Sequence, residues 1–202
     1  MFALLAAGGL IVGCFGPKWL VSVRGPRMAI GLRNFQVCAG GQCEAISNFQ
    51  MVDELDKQIA KLKETYADAP LGVQRQAIPE NPWHGFPVVG WITLAMGLIS
   101  AIGLVWGAVL ALQRKRPDLP IMPTTLAVIG LALGIVNGCL VLATKPDIID
   151  DIAVGWSFWA FGAGAVLGLT AVFPLNRQIR PIDEELGEAS ATMSWGASRD
   201  DE

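Results

Sequence analysis

Lys18–Cys43 reads KWLVSVRGPRMAIGLRNFQVCAGGQC, and the fold turns on how this stretch is read. Trp19, Val21 and Val23 alternate with Leu20, Ser22 and Arg24, the period of two that a strand requires. Gly25-Pro26 breaks the run and permits a turn. Arg27–Leu32 and Phe35–Cys38 can then pair back, and Ala39-Gly40-Gly41-Gln42 separates two cysteines as a hairpin loop would. The stretch is predicted to form a small antiparallel β-structure.

What surrounds it is unlike a soluble domain. Of 202 residues, 52% are hydrophobic and 16% charged, against roughly 25% charged in ordinary soluble domains. No charge occurs from Phe86 to Leu112, from Ile121 to Thr144 or from Ile152 to Asn176. Each run exceeds the roughly 20 residues that cross a bilayer core as a helix. The first apolar run, Met1–Gly16, is shorter and reaches Val23 only if Lys18 snorkels to the interface. Three readings of it stand: a transmembrane helix, a signal peptide without the usual basic n-region, and a lipoprotein signal in which Ile11-Val12-Gly13-Cys14 presents Cys14 for lipidation. The expected fold class is membrane α-helical: a four-transmembrane-helix bundle over 1–176, with spans about 2–22, 86–112, 123–144 and 152–175 and an outer loop at 18–85.

Lys and Arg in short loops orient such a chain. Arg114-Lys115-Arg116 follows the second run and Arg177 and Arg180 follow the fourth, whereas Lys145 shares its loop with Asp147, Asp150 and Asp151. Both termini and the 114–116 loop are therefore expected in the cytoplasm, in a plasma or bacterial inner membrane, with 18–85 and 145–151 outside. Cys38 and Cys43 then lie on the oxidising side, at a separation that suits a disulfide across a hairpin. Cys14 and Cys139 sit in apolar runs and read as buried small hydrophobes.

Within the long loop, Ser47-Asn48-Phe49-Gln50 is a capping-box signature. Val52, Leu55, Ile59, Leu62 and Tyr66 follow at spacings of three and four, among Asp53, Glu54, Lys57, Lys61, Lys63 and Glu64. This predicts an amphipathic helix whose apolar stripe packs on the β-structure, the rim of the bundle or a partner. Residues 67–85, with Pro70, Pro79 and Pro82, read as a loop returning to the membrane, where Trp83, His84 and Phe86 are expected to mark the interface.

Small residues recur every four positions: Gly9 and Gly13; Gly103, Gly107 and Ala111; Gly130, Gly134 and Gly138; Ala160, Gly164 and Gly168. Such faces allow close helix approach, inside the bundle or between copies. Asn137, the one strongly polar side chain in a span, is expected to bond a neighbouring helix. No Asp, Glu, Lys, Arg or His occurs in the last three spans, which argues against a proton-coupled transporter. No nucleotide-binding glycine motif, HExxH or serine nucleophile elbow appears, and neither cofactor, metal nor nucleic acid is expected. The acidic tail 177–202 reads as disordered, with Trp195 a candidate docking residue.

The first outer loop resembles that of the claudin and peripheral-myelin-protein superfamily. Pro17-Lys18-Trp19-Leu20-Val21-Ser22 is similar to the opening of that loop, Gly31-Leu32 to its Gly-Leu, and Cys38 and Cys43, with Gln42 before the second, to its two cysteines. Arg33 stands where the family has Trp, and the chain ends Arg-Asp-Asp-Glu rather than Tyr-Val. The resemblance implies four spans, Trp19 packed near the membrane surface and a Cys38–Cys43 bridge locking two strands. Three functions follow: a structural protein making protein–protein contacts with other membrane proteins or itself, an accessory subunit of a larger membrane complex or transporter, and a membrane thiol oxidoreductase, for which CxxxxC replaces the usual CxxC.

Overall fold

The computed structural model describes residues 1–23, 27–39, 41–70, 72–73, 77–113, 123–146 and 152–179, the side chains of the last segment through 175. Four apolar helices pack side by side: α1 (Phe2–Phe15), α3 (Phe86–Gln113), α4 (Pro123–Ala143) and α5 (Trp156–Ile179). The last three are long and apolar enough to cross a membrane. At one end sits an antiparallel sheet of β1 (Leu20–Ser22), β2 (Arg27–Ile30), β3 (Asn34–Ala39), β4 (Gln42–Ser47) and β5 (Ile152–Val154), with α2 (Asn48–Thr65) beside it. The strand order is β4-β3-β2-β1-β5.

The register follows the apolar pattern. Leu20 lies opposite Ile30 and Ile30 opposite Phe35, and all three are buried. Cys38 lies opposite Cys43 across the β3–β4 hairpin, and the two form a disulfide.

Two boundaries differ from the expected spans. α1 stops at Phe15 instead of running to residue 22. Pro17 is the reason: it has no N–H to continue the helix and pushes Gly16 out of the helical region, to φ −64° and ψ 136°. With 14 residues, α1 is about 21 Å long, shorter than a hydrocarbon core of about 30 Å. The segment 152–154, expected to open the last span, is instead strand β5 paired to β1. Gly155 then turns the chain into α5, and a Cβ there would collide with the Lys18 carbonyl. At its other end α5 continues to Ile179, past the expected end of the span at about 175. Residues 114–116, 147–151 and 180–202, on which the orientation and tail readings fall, lie outside the described residues.

The glycine faces turn toward neighbouring helices. A Cβ at Gly103 would lie 2.8 Å from backbone atoms of Pro123 and Ala127. One at Gly130 would lie 2.9 Å from the Met96 carbonyl, and one at Gly164 2.6 Å from the Leu10 nitrogen. Gly134 and Gly138 face the Phe161 ring, and Gly138 also the Trp19 ring. Gly168 faces Leu104 and Leu131; Gly107 has more room, 3.6 Å from Leu175. Gly9 and Gly13 meet α5 at Gly164 and Phe161.

Four side chains depart from expectation. Asn137 donates to the Leu133 carbonyl of its own helix at 2.8 Å, with no bond to a neighbouring helix among the described residues, because an i−4 carbonyl lies within reach of a short polar side chain. Cys139 is exposed, while Cys14 is buried against α3. Trp83 and Phe86 are buried in an edge-to-face run of rings with Phe35, so of the expected interface residues only His84 is exposed.

Candidate functional site

The sheet and α2 are held to the helices by a few residues near Trp19. The Gly13 carbonyl would ordinarily accept from the nitrogen of residue 17, which is Pro17 and has no hydrogen to give. The Trp19 indole Nε1 donates to it at 2.7 Å. Trp19 is itself buried, its ring 5.5 Å from Phe158 and 5.3 Å from Phe161. Its main chain completes the tie: the nitrogen donates to Ile30 O of β2 at 2.9 Å, and the carbonyl accepts from Gly155 N at 2.8 Å. Ser157, the second residue of α5, donates its N–H to the Lys18 carbonyl and accepts from the Lys18 nitrogen on Oγ. One short stretch thus joins α1, β2, β5 and α5.

Gly31 and Leu32 form the second junction. Gly31 N donates to the Asn34 carbonyl at 2.8 Å, closing the turn between β2 and β3. A Cβ at Gly31 would lie 2.8 Å from Asn34 Oδ1 and 3.3 Å from Pro17 Cα. Leu32 is buried, and its carbonyl presses on Gly90 of α3 so closely that a Cβ there would collide. Arg33 extends over the Phe15 ring, 4.9 Å from its centroid, a cation–π contact at the end of α1.

The start of α2 is fixed to this turn. Ser47 Oγ accepts from Gln50 N at 3.1 Å and Gln50 Oε1 from Ser47 N at 3.0 Å, a complete capping box. Asn48 is fully buried; its Nδ2 donates to the Gly31 carbonyl and its N–H to the Arg33 carbonyl. Farther along, Asn81 Nδ2 donates to Val52 O and Asp56 Oδ1, while its Oδ1 accepts from Trp83 N. In the sequence Asn48 is only a filler of the capping box, and Asn81 only a loop residue. The signals were the Asn in the first helical position behind a capping Ser, and the turn dipeptide Asn81-Pro82.

Only Asn48 of α2 is fully buried. Met51, Val52 and Leu55 lean on the core, but Phe49 is 51% exposed and Leu62 36%. Lys57 pairs with Asp53 at 3.0 Å and with Glu54 at 3.9 Å. The Asp53 hydrogen bond, then the charges of Asp53 and Glu54, raise the Lys57 pKa above its usual value.

Among the described residues, two concavities can be traced at this end. One, about 580 Å³, lies between α2 and the returning segment and is lined by Asp56, Lys63, Glu80 and His84 among others. No group of three His, Cys, Asp or Glu that could hold a metal occurs among the described residues. The other, about 620 Å³, lies on the sheet and includes the Cys38–Cys43 bridge in its wall. The arrangement offers contact surface, hydrogen-bonding groups and a disulfide.

No protein-family model matches this chain, and no curated protein matches it in sequence.

Proposed function

We propose that the chain is a four-span integral membrane protein of claudin-like architecture that works by protein–protein contact through its sheet and α2. α1 is read as the first span because it lies against α3 and α5, and its exposed large residues, Phe2, Leu4, Leu5, Ile11, Val12 and Phe15, are apolar. Its shortfall in length is a modest mismatch that local thinning or snorkelling at Lys18 accommodates. The basic Arg114-Lys115-Arg116 sequence supports cytoplasmic termini, with the sheet and α2 outside.

The observation that carries the contact reading is the half-covered helix. α2 is anchored at its first residue, yet it leaves Phe49 exposed two residues after β4, the edge strand among the described residues, whose residues Gln42–Ala45 are exposed too. An exposed aromatic next to an unpaired strand edge is a surface that associates. The accessory-subunit reading drew on small-residue helix faces, and the glycines of those faces are turned toward neighbouring helices of the same chain. The oxidoreductase reading needs a second cysteine pair; Cys14 and Cys139 lie on different helices.

A photo-crosslinking residue in place of Phe49, in full-length protein in its own membrane, tests the reading. The expected product is a discrete adduct with a membrane protein, either a second copy or a different chain. Crosslinking to lipid and solvent alone contradicts it.

A further inference from the structure

The sheet has a second face whose charged side chains, among the described residues that line its concavity, are all cations. Leu20, Ile30 and Phe35 occupy the buried face, so the alternating residues point the other way. There Val21, Ala29 and Gln36 form one cross-strand row and Arg27, Cys38 and Cys43 another. These rows form the floor of the 620 Å³ concavity, which Lys18 and Ser22 also line. Its described lining contains two cations and no carboxylate. Glu44 alternates onto the opposite face, paired with Val37.

The concavity begins at the end of the helices and runs outward. Lys18 follows α1 directly, and its carbonyl is bonded to Ser157, between the exposed indoles of Trp156 and Trp159. Exposed Trp at the end of an apolar helix marks headgroup depth. Arg27 lies three residues along β2 from Ile30, which is tied to Trp19. At the usual strand rise, that is about 10 Å farther from the helices.

We infer that this concavity binds the headgroup of an anionic phospholipid from the outer leaflet, with the phosphodiester at Lys18 and the rest of the headgroup reaching over Ser22 and Gln36 toward Arg27. Lys18 stands at phosphate depth. Gln36 supplies an amide donor and acceptor for headgroup hydroxyls. Arg27 sets the selectivity: a choline or ethanolamine group in the same pose would bring a second cation against the guanidinium, whereas an uncharged glycerol would not. The inference rests on the membrane placement proposed above.

The test uses full-length protein in detergent, mixed with equal amounts of phosphatidylglycerol and phosphatidylcholine, with retained lipid counted by native mass spectrometry. Wild type is expected to retain phosphatidylglycerol preferentially. Lys18→Gln with Arg27→Gln should lower that preference about thirtyfold, at roughly 1 kcal/mol for each of the two basic residues near a lipid surface. Lys61→Gln, on exposed α2, should leave it unchanged. Both substituted side chains are exposed, so the double variant should keep its melting temperature. An unchanged preference in the double variant overturns the site and leaves the membrane placement standing. Wild type that retains no phospholipid overturns both. Displacement of phosphatidylglycerol by excess soluble glycerol phosphate overturns the lipid assignment in favour of a free phosphate.

Discussion

The indole nitrogen of Trp19 donates to the carbonyl of Gly13 at 2.7 Å, in place of the main-chain donor that Pro17 lacks. A helix end, a proline and a tryptophan are thereby one device. The proline ends α1, the tryptophan satisfies the carbonyl left behind, and its main chain enters the sheet.

The first prediction contrasts two buried indoles. Trp19→Phe strands the Gly13 carbonyl, a loss of about 1–3 kcal/mol, in addition to lost ring contacts. Trp83 Nε1 is buried with no hydrogen-bond partner among the described residues, so Trp83→Phe removes a donor that gains no bond there. Thermal unfolding in detergent should show a markedly larger drop for Trp19→Phe. Equal drops would show that ring volume alone matters at both positions.

The second concerns close helix contacts. Gly130→Ala places a Cβ against Ser100 and the Met96 carbonyl, and Gly134→Leu drives a large side chain into Phe161. Both should cost about 1–3 kcal/mol or more. Gly107→Ala has ordinary van der Waals room and should be neutral or stabilising, since Ala favours a helix over Gly by about 1 kcal/mol. Leu133→Ile, on an exposed face, should be mild. Melting temperatures of the four variants give the ranking, and a Gly130→Ala protein as stable as Gly107→Ala would refute the packing.

The third concerns the hairpin. Replacing Cys38 and Cys43 by Ser should cost about 2 kcal/mol, since the bridge closes a short loop. The fall in melting temperature should match that of wild type on reduction. A reduced wild type that melts like the oxidised protein would contradict this.

The fourth concerns pH. The Lys57 pKa is raised, first by its hydrogen bond to Asp53, so the pair's contribution is fully present below the ordinary lysine value. It fades as pH climbs through the raised one. α2 stability should therefore be flat from neutral pH to about pH 10 and then decline less in Lys57→Met than in wild type. Circular dichroism across that range is the check.

Much of this was legible because the signals are local. The β1–β3 meander, the cysteine hairpin and the capping box follow from periodicity of two, Gly and Pro placement and a Ser–Gln pair. β5 was not legible: Ile152-Ala153-Val154 lies in a charge-free run, and a short apolar run reads equally as strand or helix. Its partner strand is more than a hundred residues away, and only Gly155 hinted at a break. The early stop of α1 was written in Pro17 but was outweighed by hydropathy continuing to Val23. Trp83 and Phe86 looked like interface anchors because burial under a sheet depends on long-range packing with Phe35. Asn48 and Asn81 were missed because their roles exist only once α2 is docked.

The most direct test of the four-span arrangement is labelling of single cysteines with a membrane-impermeant maleimide, in protein with Cys139 replaced by Ala. Cysteines at Phe2, Gln58 and Arg116 report the start of α1, the exposed face of α2 and the basic loop. The account expects Gln58→Cys to react in intact cells, and Phe2→Cys and Arg116→Cys only after permeabilisation. Labelling of Phe2→Cys and Gln58→Cys from the same side would show that α1 does not cross, and the four-span account would fall.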